Sequence, residues 1–138
     1  MTGTSYADFV VAQTIFKQCS LRPPTDLSPY QRLDGLLLFV RSGSVIKGAA
    51  LIKKLEEDTA QVRMAMLCYG AYDVYAHTLI GEVVKWGSGL DYKIMKTGNL
   101  QHDDMRGRLA SLLPQYGFKG LAVSRSADGR CPYMECKL

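Results

Sequence analysis

This chain of 138 residues has two histidines, and one of them has company. His77 stands four residues after Asp73 within CYGAYDVYAHT, so on a helix the pair meets on one face, as an ion pair or as a base beside an orienting carboxylate. An imidazole of ordinary pKa ~6.5 suits removal of a proton from an ammonium group. The plainer account of the same spacing is a surface helix pair contributing roughly 0.3 kcal/mol. Tyr69, Tyr72 and Tyr75 repeat at helical spacing, as pocket or interface residues or, more simply, as residues at the edge of a core. Glu56, Glu57 and Asp58 would attract an amine and would equally make a solvated hairpin turn. His102 precedes Asp103 and reads as a loop residue. Ser20, Ser42 and Ser124 have no histidine partner visible in the sequence, and no phosphate loop or dinucleotide fingerprint occurs.

Composition narrows the classes further. The 47% hydrophobic and 22% charged residues are those of a globular protein with one core. No apolar run approaches the ~20 residues of a membrane span, and the N-terminus lacks the pattern of a signal peptide. The expected location is therefore cytoplasmic, with no membrane partner. Cys19, Cys68, Cys131 and Cys136 are scattered, and the CPYMEC spacing of the last two is not that of a zinc site, so no metal is expected. A net charge of +4, dispersed along the chain, permits an anionic partner without requiring one.

These groups must be held by elements that the periodicity outlines. Residues 6–19 suit a helix, and LRPPTDLSPY, with three prolines, reads as a connector. Three strands follow at 33–40, 45–54 and 60–68. The first is apolar enough for burial on both faces, and the third alternates Ala60, Val62, Met64, Met66 and Cys68 against Gln61 and Arg63. Short turns make these an antiparallel meander. Tyr72, Ala76, Leu79, Val83 and Trp86 then form a helical stripe, stopped by Gly87 and Gly89, with Trp86 assigned to the core. A strand at 92–96 follows. A second helix starts at Asp103, carries Met105, Leu109, Leu112 and Leu113, and ends by Pro114. Strands at 119–125 and 131–138 flank an Asp-Gly hairpin turn at 127–130.

From residue 33 the order is β-β-β-α-β-α-β-β, and QYGF at 115–118 leads into the final hairpin and MECKL. This order and ending resemble the GNAT-type N-acetyltransferases, over roughly three-quarters of the chain. The expected fold class is α/β (α+β): one GNAT-like domain over 1–138, with a mixed, mostly antiparallel central sheet flanked by helices. The core is recognisable over 33–138, preceded by a helix and Pro-rich loop in 1–32. The resemblance extends to small, degenerate, virion-associated proteins of tailed bacteriophages.

The resemblance implies acetyl-CoA as cofactor and an amine as acyl acceptor. It implies that the strand before the first long helix splays from its neighbour and that the backbone of Ala65, Met66 and Leu67 lies along the cofactor. The turn at Tyr69, Gly70 and Ala71 would meet the pyrophosphate at the following helix N-terminus. The family's catalytic tyrosine falls on Leu113, so Tyr116 is the nearest candidate to serve the leaving thiolate, with His77 as base. The turn carries one glycine, bulky tyrosines and Asp73, whose charge opposes a phosphate. Those departures frame an alternative: a catalytically inactive GNAT-like protein, phage-encoded and virion-associated, acting by protein–protein binding or as a homo-oligomer. Lys93, Lys96, Arg106 and Arg108 offer a nucleic-acid reading, but the sheet lacks the aromatic platform that RNA binding uses, and no nucleic-acid partner is expected.

Overall fold

The structure is a computed structural model and describes residues 5–67, 72–97, 112–120 and 134–138, without the side chains of residues 72 and 73. Ser5 begins the first element. Its extended backbone and its Oγ, which accepts from Asp8 N–H at 3.1 Å, cap helix α1 (Tyr6–Gln18). Phe9, Ala12, Ile15 and Phe16 form its buried face, as expected of a helix here, while Val10 is exposed. Cys19 closes the helix, and Ser20, at a φ of 60°, turns the chain away. The connector holds more structure than the prolines predict. Pro29, whose φ is preset for a first helical turn, helps form the one-turn helix α2 (Ser28–Gln31). Tyr30 of α2 is buried with its ring 6.2 Å from that of Phe9.

Strands β1 (Leu36–Ser42), β2 (Val45–Glu56) and β3 (Thr59–Met66) form the predicted antiparallel meander. Leu37 pairs with Leu51, and Ala49 with Ala65. Two expectations need correction at its start. β1 begins at Leu36, and Leu33, placed at the head of the strand, is 77% exposed. Leu36 to Phe39 are half-buried, because β1 is the outermost strand of the described sheet and lacks a second neighbour.

Helix α3 (Tyr72–Gly89) carries the chain from β3 to β4 (Ile94–Thr97), which lies parallel to β3 from Thr59↔Ile94 to Val62↔Thr97. Its buried face is Ala76, Leu79, Ile80, Val83 and Gly87. Trp86 is not core: it is 42% exposed, and its Nε1–H donates to Glu82 at 3.1 Å, one turn back. Gly87, read from sequence as a stop, is a contact residue instead. A Cβ there would lie 2.4 Å from Met95 Cε. The helix face turns by about 100° per residue, and the stripe drifts from 86 to 87 once Gly87 lets the backbone close on β4.

The remaining strands, β5 (Phe118–Gly120) and β6 (Met134–Lys137), complete a sheet of order β1-β2-β3-β4-β6-β5. The described strands overlap the expected ones, with β5 starting one residue earlier, at Phe118; residues 121–133, with the turn at 127–130, and the start of the helix expected from Asp103 lie outside the described residues. One buried cluster runs from Phe9 of α1 to Cys136 of β6. The architecture is α+β with a mostly antiparallel mixed sheet. No described helix is long and apolar enough to cross a membrane.

Tyr92 locks the turn between α3 and β4 to the start of β1. Its hydroxyl donates to the Asp34 carbonyl oxygen, and burial, with the Asp34 carboxylate second, pushes its pKa up to about 12. Against an unfolded value of ~10, the phenol's contribution is intact below pH ~10 and disappears as pH rises through the folded value. Replacing Tyr92 by Phe is expected to cost about 1 kcal/mol at neutral pH and to flatten the alkaline loss of stability, measured by urea denaturation across that window. Leu79→Ala is expected to cost about 2–5 kcal/mol, whereas Trp86→Ala, on the exposed side of the same helix, costs less than ~1 kcal/mol.

Candidate active site

His77 lies on the second turn of α3, half-buried on the flank of the stripe that packs on the sheet. Tyr116 comes from the far end of the sequence. Pro114 opens a 3-10 turn over Leu113–Tyr116, and Gly117, at φ 93°, ends it by donating its N–H to the Leu113 and Pro114 carbonyls. That left-handed bend is one L-residues rarely adopt, and it sends Phe118 into the core as the first residue of β5. Cys136 supports the turn from β6: its Sγ–H donates to Tyr116 O at 3.3 Å, and burial raises its thiol pKa, which keeps the donor protonated.

The turn aims the tyrosine at α3. Tyr116 Oη lies 2.8 Å from His77 Nδ1 and 3.2 Å from His77 O, with the two rings 5.7 Å apart. Gly81, one turn after His77, borders the ring: a Cβ there would stand 3.8 Å from Tyr116 Cε1, an ordinary contact. The two residues named from sequence as base and acid are therefore one hydrogen-bonded pair. Sequence reasoning placed His77 with Asp73 and Tyr116 with a thiol; it did not join them. Leu113, at the position where the resemblance puts a tyrosine, is fully buried.

The cofactor candidates divide. Tyr69, Gly70, Ala71 and the Asp73 side chain lie outside the described residues. Ala65, Met66 and Leu67 end β3 and follow it, beside the start of α3. Leu67 N–H donates to Lys47 O at 2.9 Å, so by alternation Ala65 and Leu67 turn their backbone groups toward β2, and Met66 turns its own the other way. The Met66 carbonyl accepts from Cys19 Sγ at 3.1 Å, which ties the end of α1 to the end of β3. Among the described residues β3 and β4 pair from Thr59↔Ile94 to Val62↔Thr97. The start of α3, which follows β3 in the chain, is a helix N-terminus, one feature that an anionic cofactor uses.

Other chemical groups do not join this site. A groove of about 410 Å³ is lined by Arg32, Asp34, Lys53, Lys54, Glu56 and Glu57 among others, at the opposite end of β3. Its charges largely pair among themselves, Arg32 with Asp34 at 3.4 Å and Lys54 with Glu57 at 3.6 Å. Tyr75 is half-buried against the core. Cys19 and Cys136 are buried thiols, and among the described residues no three His, Cys, Asp or Glu side chains converge as metal ligands do. Replacing Gly117 by Ala forces a strained φ and brings a methyl within 3.3 Å of Cys136 Sγ. The expected loss is about 1–2 kcal/mol in denaturant melts.

No protein-family profile matches the chain, and no curated protein is similar to it in sequence. Solved structures are similar in shape. The ribosomal-protein-alanine N-acetyltransferase of Brucella melitensis superposes with a TM-score of 0.71 at 13% identity, over 99% of this chain and 98% of that one. A Salmonella typhimurium protein solved with its cofactor acetyl-CoA gives 0.70 at 16% identity, over 99% and 91%. A GNAT-family acetyltransferase of Streptococcus pneumoniae gives 0.70 at 10% identity, over 99% and 96%. At such low identity the likeness speaks for architecture, and with the strand order and the β3–α3–β4 crossover it establishes that this chain has the GNAT-type N-acetyltransferase fold.

Proposed function

We propose that the protein transfers an acyl group from acetyl-CoA to an amine. The observation that carries this reading is the His77–Tyr116 pair, a base on the helix that follows β3, hydrogen-bonded to a phenol from the turn before β5. Similar folds add support, one of them solved with acetyl-CoA.

The reading assigns each residue a task. Ala65, Met66 and Leu67 line the strand along which the cofactor's arm lies, and Tyr69, Gly70 and Ala71 form the turn against its phosphates. Bound acetyl-CoA supplies an activated acyl thioester. An amine at neutral pH is mostly an ammonium ion with no lone pair for attack, so one proton must leave before the new N–C bond forms. His77, the one histidine among the described residues, takes that proton. Tyr116 holds His77 and is the phenol nearest to it.

Calorimetric titration of acetyl-CoA and CoA into the protein tests the reading directly. Micromolar binding with a raised melting temperature is expected; no heat at millimolar cofactor sinks it and leaves a protein-binding role for the fold. With an amine acceptor in hand, His77→Ala is expected to lower kcat by about 100-fold or more, with folding unchanged by circular dichroism.

A further inference from the structure

We infer that Tyr116 is a positioning residue, whose hydroxyl fixes the tautomer of His77 so that Nε2 is the atom that accepts protons. The inference rests on the reading of His77 as the base. Its argument, however, uses hydrogen-bond chemistry alone.

Tyr116 Oη has one proton and touches two groups of the same residue, Nδ1 at 2.8 Å and the backbone carbonyl oxygen at 3.2 Å. The carbonyl can only accept. If the hydroxyl donates to Nδ1, its oxygen faces the carbonyl oxygen with no proton between them. If Nδ1–H donates to Oη and Oη–H donates to the carbonyl, both contacts are satisfied at once. The second arrangement is favoured, since it makes one more hydrogen bond, worth about 0.5–1.5 kcal/mol net, where the first sets two oxygens against each other. The neutral imidazole then carries its proton on Nδ1 and its lone pair on Nε2, the ring nitrogen remote from the tyrosine.

The consequence for catalysis is specific. In the rejected arrangement Nε2 already carries hydrogen and Nδ1 is occupied by the hydroxyl, so the ring has no lone pair to offer. In the favoured one Nε2 takes a proton while Nδ1–H···Oη and Oη–H···O both persist. The charged imidazolium keeps the same two hydrogen bonds, and nothing need rotate when the proton arrives. A hydroxyl committed to the His77 carbonyl is also not free to protonate a leaving thiolate, so Tyr116 acts through His77.

Nitrogen-15 NMR of labelled histidine reads this without any substrate. The experiment uses the full chain with His102→Gln, leaving one imidazole, at a pH where that ring is neutral. Long-range proton–nitrogen correlations distinguish the tautomers. The expected result is a dominant Nδ1–H form, with most of the population shifting to Nε2–H when Tyr116→Phe removes the hydroxyl and keeps the ring. A dominant Nε2–H form with Tyr116 present overturns the inference, as does an unchanged tautomer in the Phe variant. The first of these arms needs no change at position 116, so a poorly folding variant cannot shelter the idea. Failure of acetyl-CoA to bind would remove the proposed reaction and leave this result intact; an Nε2–H result would remove the inference and the task given to His77, while leaving cofactor binding untouched.

Discussion

Two neighbouring strands that run in the same direction cannot be joined by a turn, and this constraint organises the molecule. β3 and β4 are parallel, so the chain must travel the length of the sheet outside it before β4 can start. The 18 residues of α3 make that return, and the helix has to bury a continuous face on the way. Ala76, Leu79, Ile80 and Val83 supply that face, and Gly87 lets the helix end settle on Met95. The start of α3 is thereby fixed beside the end of β3, and His77 is fixed with it.

The same constraint explains how the candidate site is assembled. His77 and Tyr116 are 39 residues apart, and neither has a local reason to meet the other. The meeting depends on a short 3-10 turn, a left-handed glycine and a strand that plugs Phe118 into the core. Cys136, from the other side of the sheet's last hydrogen-bonded pair, holds the turn by its peptide oxygen. The tyrosine is held by many weak restraints rather than one strong bond. Such support is what a group needs if its hydroxyl is to keep a fixed direction.

The meander and α3 were legible because their signals are local. Alternation in Ala60–Met64 and the three-to-four spacing from Ala76 to Val83 each report which face is buried. Failures came where a neighbour decides. Leu33 and the outer-strand burial of Leu36–Phe39 were misjudged because apolar runs do not say how many strands flank them. Trp86 was misjudged because it completes the three-to-four spacing of the stripe, while Gly87 took the contact by having no side chain. The proline-rich connector hid α2, where Pro29 begins a helix rather than ending one. As for the site, both partners were named from sequence, and their union was not, since hydrogen bonds across 39 residues leave no period to read.

The strand order has a consequence for how the protein is made. β6 lies between β4 and β5, although it is the last of the six in sequence. During translation β1, β2 and β3 can pair as they emerge, and β4 can add to them once α3 has formed. β5 leaves the ribosome with no strand to pair with, because its neighbour in the described sheet is still unmade. Until residue 137 is free, the nascent chain carries two open strand edges where the finished sheet has a continuous ladder. Tyr116 stands beside β5 on that late-closing half, so the support of its turn by Cys136 comes only after β6 has been made.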